Sequence, residues 1–284
     1  MANIVRAVNH RLLQRSVLPS LPGLLGGREH GGASLAGKTV AITGASAGIG
    51  RAAAYRLAGR GATLVLIARS GGELAATVKG VQQRGGTAIA IEADLTDEDS
   101  AGAVITDLNR RKVDVLVNNA GRSIRRKIID STDRMHDFER TMAINYFAAV
   151  RLTLGVLDGM RERGSGQIVN VCTWALRPGT MPLFGAYGAS KAALEMFSRS
   201  LGAELEGSGV AVTVVYFPLV KTEMIAPTAK YDSRVTLTDT EAGEWIEHAI
   251  DARPLRIVPN LMKAAPLADI TIPGVMDKFS RIIS

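Results

Sequence analysis

From Leu35 onward, short apolar runs alternate with longer stretches in which apolar residues recur at helical spacing. The runs cover residues 39–43, 63–67, 87–91, 113–117, 167–172 and 210–216. Between them lie helical patterns, the clearest over residues 49–59, 134–163 and 186–206. The apolar runs lack the polar alternation of a strand with one wet face, so both of their faces are expected to be covered. Strands of this kind separated by helices predict an α/β fold, a doubly wound parallel sheet with helices on both faces. No repeat, low-complexity block or internal linker interrupts the pattern, which predicts a single domain.

The two ends differ from this body. Between Met1 and Arg28 there is no carboxylate, while Arg6, Arg11 and Arg15 punctuate an apolar background. Ile4, Val5, Val8 and Leu12 repeat at helical spacing, predicting a short basic amphipathic helix that Pro19, Pro22 and the following glycines end. Such an arm either packs on the domain or a partner subunit, or rests on a membrane surface. No apolar run reaches the roughly 20 residues needed to cross a bilayer. Residues 253–284 are apolar but broken by Pro254, Pro259, Pro266 and Pro273. Leu255, Ile257, Val258, Leu261, Met262, Leu267, Ile270 and Ile272 there fit an acyl-chain roof, a membrane contact or a subunit interface. The interface is the simplest of the three, and a homo-oligomer is expected.

Composition narrows the chemistry. The 284 residues are 46% hydrophobic and 21% charged, enough for one large core. A single cysteine, Cys172, excludes a disulfide framework and a cysteine-only metal cluster, and suits a reduced, cytoplasmic setting. No metal site is expected. The formal charge of +7 favours anionic partners. Basic segments interleaved with aromatics are missing, so a phosphorylated small molecule fits better than nucleic acid.

The first strand runs into Thr43-Gly44-Ala45-Ser46-Ala47-Gly48-Ile49-Gly50. Gly44 permits a tight turn, Gly48 lets backbone approach a pyrophosphate, and Gly50 lets the helix pack on the strand. The helix N-terminus faces the anion, with Ser46 and Ile49 in the same turn. The second strand ends at Arg69, where an acid would hold the ribose of NAD. An arginine suits the 2′-phosphate of NADP instead. Asp94 and Leu95 end the third strand, beside the adenine. Asn118, Ala120 and Gly121 end the fourth, on the carboxyl edge where such sheets bind ligands. Tyr187 and Lys191 stand one turn apart on one helix, where an ammonium would lower the phenol pKa.

The glycine turn, Asn118-Asn119-Ala120-Gly121, Asn145 and Tyr187-x-x-x-Lys191 together resemble the short-chain dehydrogenase/reductases. The likeness runs from Leu35 to about Asp251 and implies about seven strands and an NADPH/NADP+-dependent oxidoreductase. It implies that Tyr187 exchanges the proton, Lys191 tunes it and holds the nicotinamide ribose, and Asn145 supports a relay water. The family's serine, thirteen residues before the tyrosine, is replaced here by Thr173, fourteen residues before it. Cys172 reads as a small buried residue. Pro218-Leu219 stands where the family often has Pro-Gly, with Val220 and Thr222 in place for the carboxamide.

Residues 118–126, 137–142, 145–146, 218–222 and 224–228 resemble bacterial fatty acyl-CoA reductases of this fold more closely. That likeness implies reduction of a long-chain acyl-CoA, a small-molecule lipid substrate, to the aldehyde. A ketone or alcohol dehydrogenase for a lipid-like substrate, and a non-catalytic NADPH-binding scaffold, remain as alternatives. Arg122, Arg125, Arg126 and Lys127 follow the fourth strand directly. They suit coenzyme A phosphates, or else form a solvated loop paired with the long helix. The expected organisation is an arm over 1–34, an NADP-binding domain over 35–252 and an apolar extension over 253–284.

Overall fold

The structure, a computed structural model, describes residues 15–18, 35–224, 236–262, 265–272, 274–275, 277–278 and 281. Eight strands form one sheet: β1 Arg15–Leu18, β2 Thr39–Thr43, β3 Thr63–Ala68, β4 Thr87–Glu92, β5 Val115–Asn118, β6 Gly166–Thr173, β7 Val210–Phe217 and β8 Arg256–Pro259. Their order is β1-β8-β7-β6-β5-β2-β3-β4. Strands β2 to β8 are parallel, and β1 adds to the β8 edge antiparallel. The seven-stranded parallel sheet that the resemblance implies is therefore present, with one further edge strand.

The helices are α1 Gly48–Leu57, α2 Gly71–Gln82, α3 Glu98–Arg110, α4 Met135–Met142, α5 Ala148–Glu162, α6 Gly185–Glu204, α7 Asp239–Ala252 and α8 Ala265–Thr271. They cover both faces, and each face carries its own apolar core. Val40, Ile42, Leu64 and Leu66 point to α1 and α7, while Ala41, Val65, Ile67 and Leu116 point to α3 and α5. All eight of those strand side chains are fully buried. The two-sided burial explains the missing polar alternation. Helix α7 crosses α1 at Gly243, where an added Cβ would lie 2.9 Å from the Ala52 carbonyl carbon.

Two features depart from expectation. Four residues of the N-terminal segment form strand β1, and β8 lies in what the sequence suggests is an extension after the domain. Both runs are only four residues long, and β8 follows Pro254 and ends on Pro259, so neither carries a strand signal of its own. The remaining arm residues, with Ile4, Val5, Val8 and Leu12, lie outside the described residues, as do Ile225 to Thr228. Of the C-terminal apolar residues, Ile257, Val258 and Met262 are core, while Leu255, Ile270 and Ile272 face solvent. The side chains of Leu261 and Leu267 lie outside the described set.

The strand order reverses between β2 and β5. From β2 the chain moves outward through β3 and β4, and from β5 it moves the other way to β8. The carboxyl ends of β2 and β5 thus bound the crevice where a doubly wound sheet binds its ligand.

Candidate active site

At that crevice the turn after β2 is stitched to the turn after β5. The Thr43 hydroxyl accepts from the Asn119 and Ala120 amides at 3.0 and 2.9 Å. The Asn119 amide group donates to the Thr43 carbonyl at 2.9 Å and to Gly44 at 3.3 Å. Gly44 has φ +66° and Gly48 φ +51°, left-handed values that favour glycine. A Cβ at Gly50 would lie 2.3 Å from the Gly44 carbonyl oxygen, and one at Gly48 would lie 3.1 Å from Thr222 Cγ2. Thr222, past the end of β7, is thereby brought against the glycine turn.

The residues present fit a dinucleotide phosphate. Helix α1 starts without a side-chain cap and without a carboxylate in its first turn, so its N-terminal amides are left for an anion. Ser46 and Ile49 line that turn, half-buried. Arg69 extends into solvent at the end of β3, with 72% of its side chain exposed, 4.0 Å from Asp94. Asp94 is held below the usual carboxylate range, first by the Thr96 hydroxyl and amide and then by Arg69. The exposed Arg69 guanidinium is thus within reach of a ligand phosphate at this edge. Leu95, Pro218 and Val220 are buried along the same edge.

Asn118, at the end of β5, turns its side chain inward. Its side chain is buried and donates to Thr153 Oγ1 at 3.0 Å and Asn170 Oδ1 at 2.8 Å. Asn170 in turn donates to Ser198 at 2.7 Å. This polar ladder ties β5 and β6 to α5 and α6, so only the Asn118 backbone is left for a ligand. Asn119, not singled out from the sequence, is what joins the two turns. In the sequence it is one of four adjacent small or polar residues, and nothing local separates its task from that of Asn118.

Across the crevice stand the four residues expected at the chemical centre. Asn145 sits in a π-helical turn, Ala143–Phe147, between α4 and α5, a distortion common at functional sites. Its Oδ1 accepts from the Arg122 amide at 2.7 Å, and its Nδ2 donates to the Arg122 carbonyl and to Ser190 Oγ, both at 2.9 Å. Ser190 donates to the Tyr187 carbonyl at 2.7 Å. Lys191 is 3% exposed, and its Nζ donates to the Val171 carbonyl at 2.8 Å. A Cβ on Gly121 would come 2.9 Å from Asn145 Oδ1 and 3.5 Å from Lys191 Nζ, so this glycine keeps the floor open.

Thr173 ends β6, and its hydroxyl both accepts from the Ala175 amide at 3.3 Å and hydrogen-bonds Tyr187. The single extra residue before Tyr187 therefore does not keep the two hydroxyls apart. Burial pushes the Tyr187 phenol above its ordinary value, and the Thr173 bond only partly offsets this. Burial lowers Lys191. The expected lowering of the phenol by Lys191 is absent from this geometry, because the ammonium is directed to the Val171 carbonyl and desolvation dominates. Cys172 is buried and pushed up to about 12 by desolvation, which removes it as a nucleophile.

Two ion-pair clusters brace the centre. Arg177 pairs with Glu195 of α6, both side chains nearly buried, and its guanidinium stacks 4.1 Å from the Tyr216 ring. Asp137 of α4, also buried, gathers Arg126 at 3.3 Å, Arg134 at 2.9 Å and Arg140 at 2.5 Å. The guanidinium of Arg134, followed by that of Arg140, holds its carboxyl far below the usual range. Arg126 is thus paired with the long helix, while the Arg122, Arg125 and Lys127 side chains are exposed.

A short-chain dehydrogenase family model matches residues 38–232, most of the chain and all of this site. The chain belongs to the short-chain dehydrogenases. Within that family it is similar to a fatty acyl-CoA reductase of Mycobacterium tuberculosis, 45% identical over 237 residues, covering 83% of this chain and 81% of the relative. A fatty acyl-CoA reductase of Acinetobacter baylyi is 44% identical over 241 residues, covering 84% and 81%. Among solved structures, a short-chain dehydrogenase from Sphingobium yanoikuyae in complex with NADPH superposes with TM-score 0.71 at 30% identity, covering 86% and 95%. In this short-chain dehydrogenase, no helix among the described residues is long and apolar enough to cross a membrane.

Proposed function

We propose that the protein is an NADPH-dependent oxidoreductase that reduces long-chain fatty acyl-CoA to the aldehyde. The observation that carries this reading is the pairing of an intact Tyr187–Thr173–Lys191–Asn145 centre with two relatives, named as fatty acyl-CoA reductases, at 44% and 45% identity over most of the chain. Gly44, Ser46, Gly48, Ile49 and Gly50 would hold the dinucleotide phosphates, and Arg69 would meet the 2′-phosphate. Asp94 and Leu95 would border the adenine. The backbone at Asn118, Ala120 and Gly121 and the segment Pro218, Val220 and Thr222 would flank the nicotinamide.

NADPH supplies the hydride, and the rest of the chemistry belongs to side chains of this chain. The Thr173 hydroxyl and the Tyr187 phenol converge on one point and stabilise the negative charge that develops on the thioester oxygen. Because burial raises its pKa, Tyr187 is a neutral phenol at physiological pH, ready to hand a proton to that oxygen. Lys191, anchored on the Val171 carbonyl, would hold the nicotinamide ribose. Asn145 holds the Arg122 backbone and, through Ser190, the first turn of α6, so that a water beside it relays the replacement proton. Net reduction consumes one proton with the hydride and releases the coenzyme thiol.

This reading places the chemistry within residues 35–252, flanked by 1–34 and 253–284, which meet the sheet edge through β1 and β8. It also includes a cytoplasmic location and a homo-oligomer, the latter supported by the exposed apolar side chains of Phe147 at the end of the π-helical turn, Leu154 on α5 and Met196 on α6. The test is purified protein with NADPH and palmitoyl-CoA, following nicotinamide absorbance and free thiol together. Coupled loss of NADPH and gain of thiol is expected, with Tyr187→Phe lowering kcat by about three orders of magnitude. Consumption of NADPH with ketones or aldehydes only, and no thiol, would replace the substrate assignment.

A further inference from the structure

Three large apolar side chains stand in water beside the substrate end of the crevice. Ile128 is 64% exposed, Ile129 77% and Met135 66%, although the first two sit on a short, well-tied turn and Met135 opens α4. The Lys127 carbonyl accepts from the Asp130 amide at 3.1 Å and from the Ser131 hydroxyl at 2.9 Å. The Arg126 amide donates to the Leu183 carbonyl at 2.6 Å, and its guanidinium is held by Asp137. These apolar groups are thus presented by a fixed support. Just before them, Arg122, Arg125, Arg126 and Lys127 form a cationic strip, and no carboxylate occurs between Asp114 and Asp130.

The position links this surface to the site. A Cβ on Gly185 would lie 2.7 Å from Ile128 Cγ1, and Gly185 opens the helix that carries Tyr187. A second exposed apolar group lies along the C-terminal segment, with Ile270 80%, Ile272 48% and Val275 57% exposed. That segment reaches the same side of the molecule. A Cβ on Gly179 would sit 2.5 Å from Asp269 Oδ2, and Thr180 donates to Asp277 at 3.2 Å. Residues 179–184, between α8 and the Arg126 strip, form the border of the site next to Tyr187.

We propose that this face docks on an anionic lipid bilayer. Ile128, Ile129 and Met135 enter the boundary between headgroups and acyl chains, and the strip of Arg122, Arg125, Arg126 and Lys127 meets headgroup phosphates. The inference rests on the acyl-CoA reading for its purpose: substrate tail and aldehyde product both partition into lipid, and docking brings the crevice to that reservoir. A second copy of the chain fits the face less well. A two-fold contact that set the cationic strip against its own image would be unfavourable, although the exposed Asp130 and Asp133 lie just beyond the strip.

The test is co-sedimentation of the full chain with phosphatidylcholine vesicles, with and without phosphatidylglycerol, in the absence of substrate. Binding that needs the anionic lipid is expected. The double substitution Ile129→Ser/Met135→Ser, and separately Lys127→Glu, each weaken it by about tenfold or more. NADPH affinity and vesicle-free turnover of a short, soluble acyl-CoA stay at parental values in the double variant. Sedimentation of parent and variants to the same extent, or with neither vesicle, overturns the proposal. So does a change of oligomeric size in the double variant, which assigns the face to a second copy. A rise in KM for the soluble acyl-CoA with vesicle binding intact assigns the strip to coenzyme A. Because binding is read without turnover, failure of the acyl-CoA reading leaves a separate result.

Discussion

Around the turn after β2, shape comes from atoms that are missing. A methyl group at Gly50 would meet the Gly44 carbonyl oxygen at 2.3 Å, and one at Gly44 would meet Ala120 Cα at 2.9 Å. Around Tyr187, shape comes from polar side chains in a nearly dry interior. Asn145 makes three hydrogen bonds, Lys191 is tied to Val171, and Arg177 is paired with Glu195. A cofactor's pyrophosphate needs backbone at close range, and absent side chains supply that without any desolvated charge. Proton transfer needs titratable groups at fixed positions. In a buried site, each such group must be held by partners or it costs more than it contributes. The difference predicts that the two regions fail in separate ways.

The largest expected effect is on the catalytic side. Arg177→Met strands Glu195 in a nearly buried position and should cost about 3 kcal/mol of folding stability. Denaturant melts measure this. NADPH affinity of the folded fraction should stay at the parental value, and a large drop there would dissolve the distinction. Next comes Gly50→Ala, which forces the turn and helix apart at a cost of about 2 kcal/mol. Here NADPH titration should show weaker binding, while the Tyr187–Thr173 centre remains formed. Arg69→Ala is smaller still. It should raise the NADPH KM about tenfold, about 1.4 kcal/mol, and leave NADH unchanged, since only the 2′-phosphate contact is lost.

The smallest effect is a flat pH profile. The folded phenol pKa of Tyr187 is raised, so its neutral form persists and its contribution is intact below the ordinary tyrosine value near 10. Reductive turnover should therefore vary little across the neutral range and fall only as pH climbs past that value. A fall beginning near neutrality would show that bound cofactor brings the phenol down, through Lys191, as the sequence alone leads one to expect.

Much of the cofactor side was legible in the chain. Gly44, Gly48 and Gly50 advertise their task because no other residue meets it, and Arg69 stands at a predictable place after an apolar run. Strands β2 to β7 were legible for the same reason, since apolar runs flanked by helical patterns have few other folds. Thr173, Tyr187 and Lys191 were legible as candidates, but the direction of the phenol shift was not. It depends on how deeply the phenol is buried and where the Lys191 ammonium points, and neither follows from residue spacing.

The catalytic side held more surprises. Asn118 went into the core and Asn119 joined the turns, although the two are adjacent and identical. Arg126 paired with Asp137, while Arg122, Arg125 and Lys127 remained exposed at the surface. Strands β1 and β8, four residues each, exist because the sheet edge offers them hydrogen bonds. The sequence by itself determined the α/β class, the dinucleotide turn and the identity of the chemical groups, because local sterics and periodicity dictate those. Tertiary structure alone decided which polar side chains are dry, which cations are paired and where the sheet ends. Desolvation and pairing depend on groups brought together from distant parts of the chain.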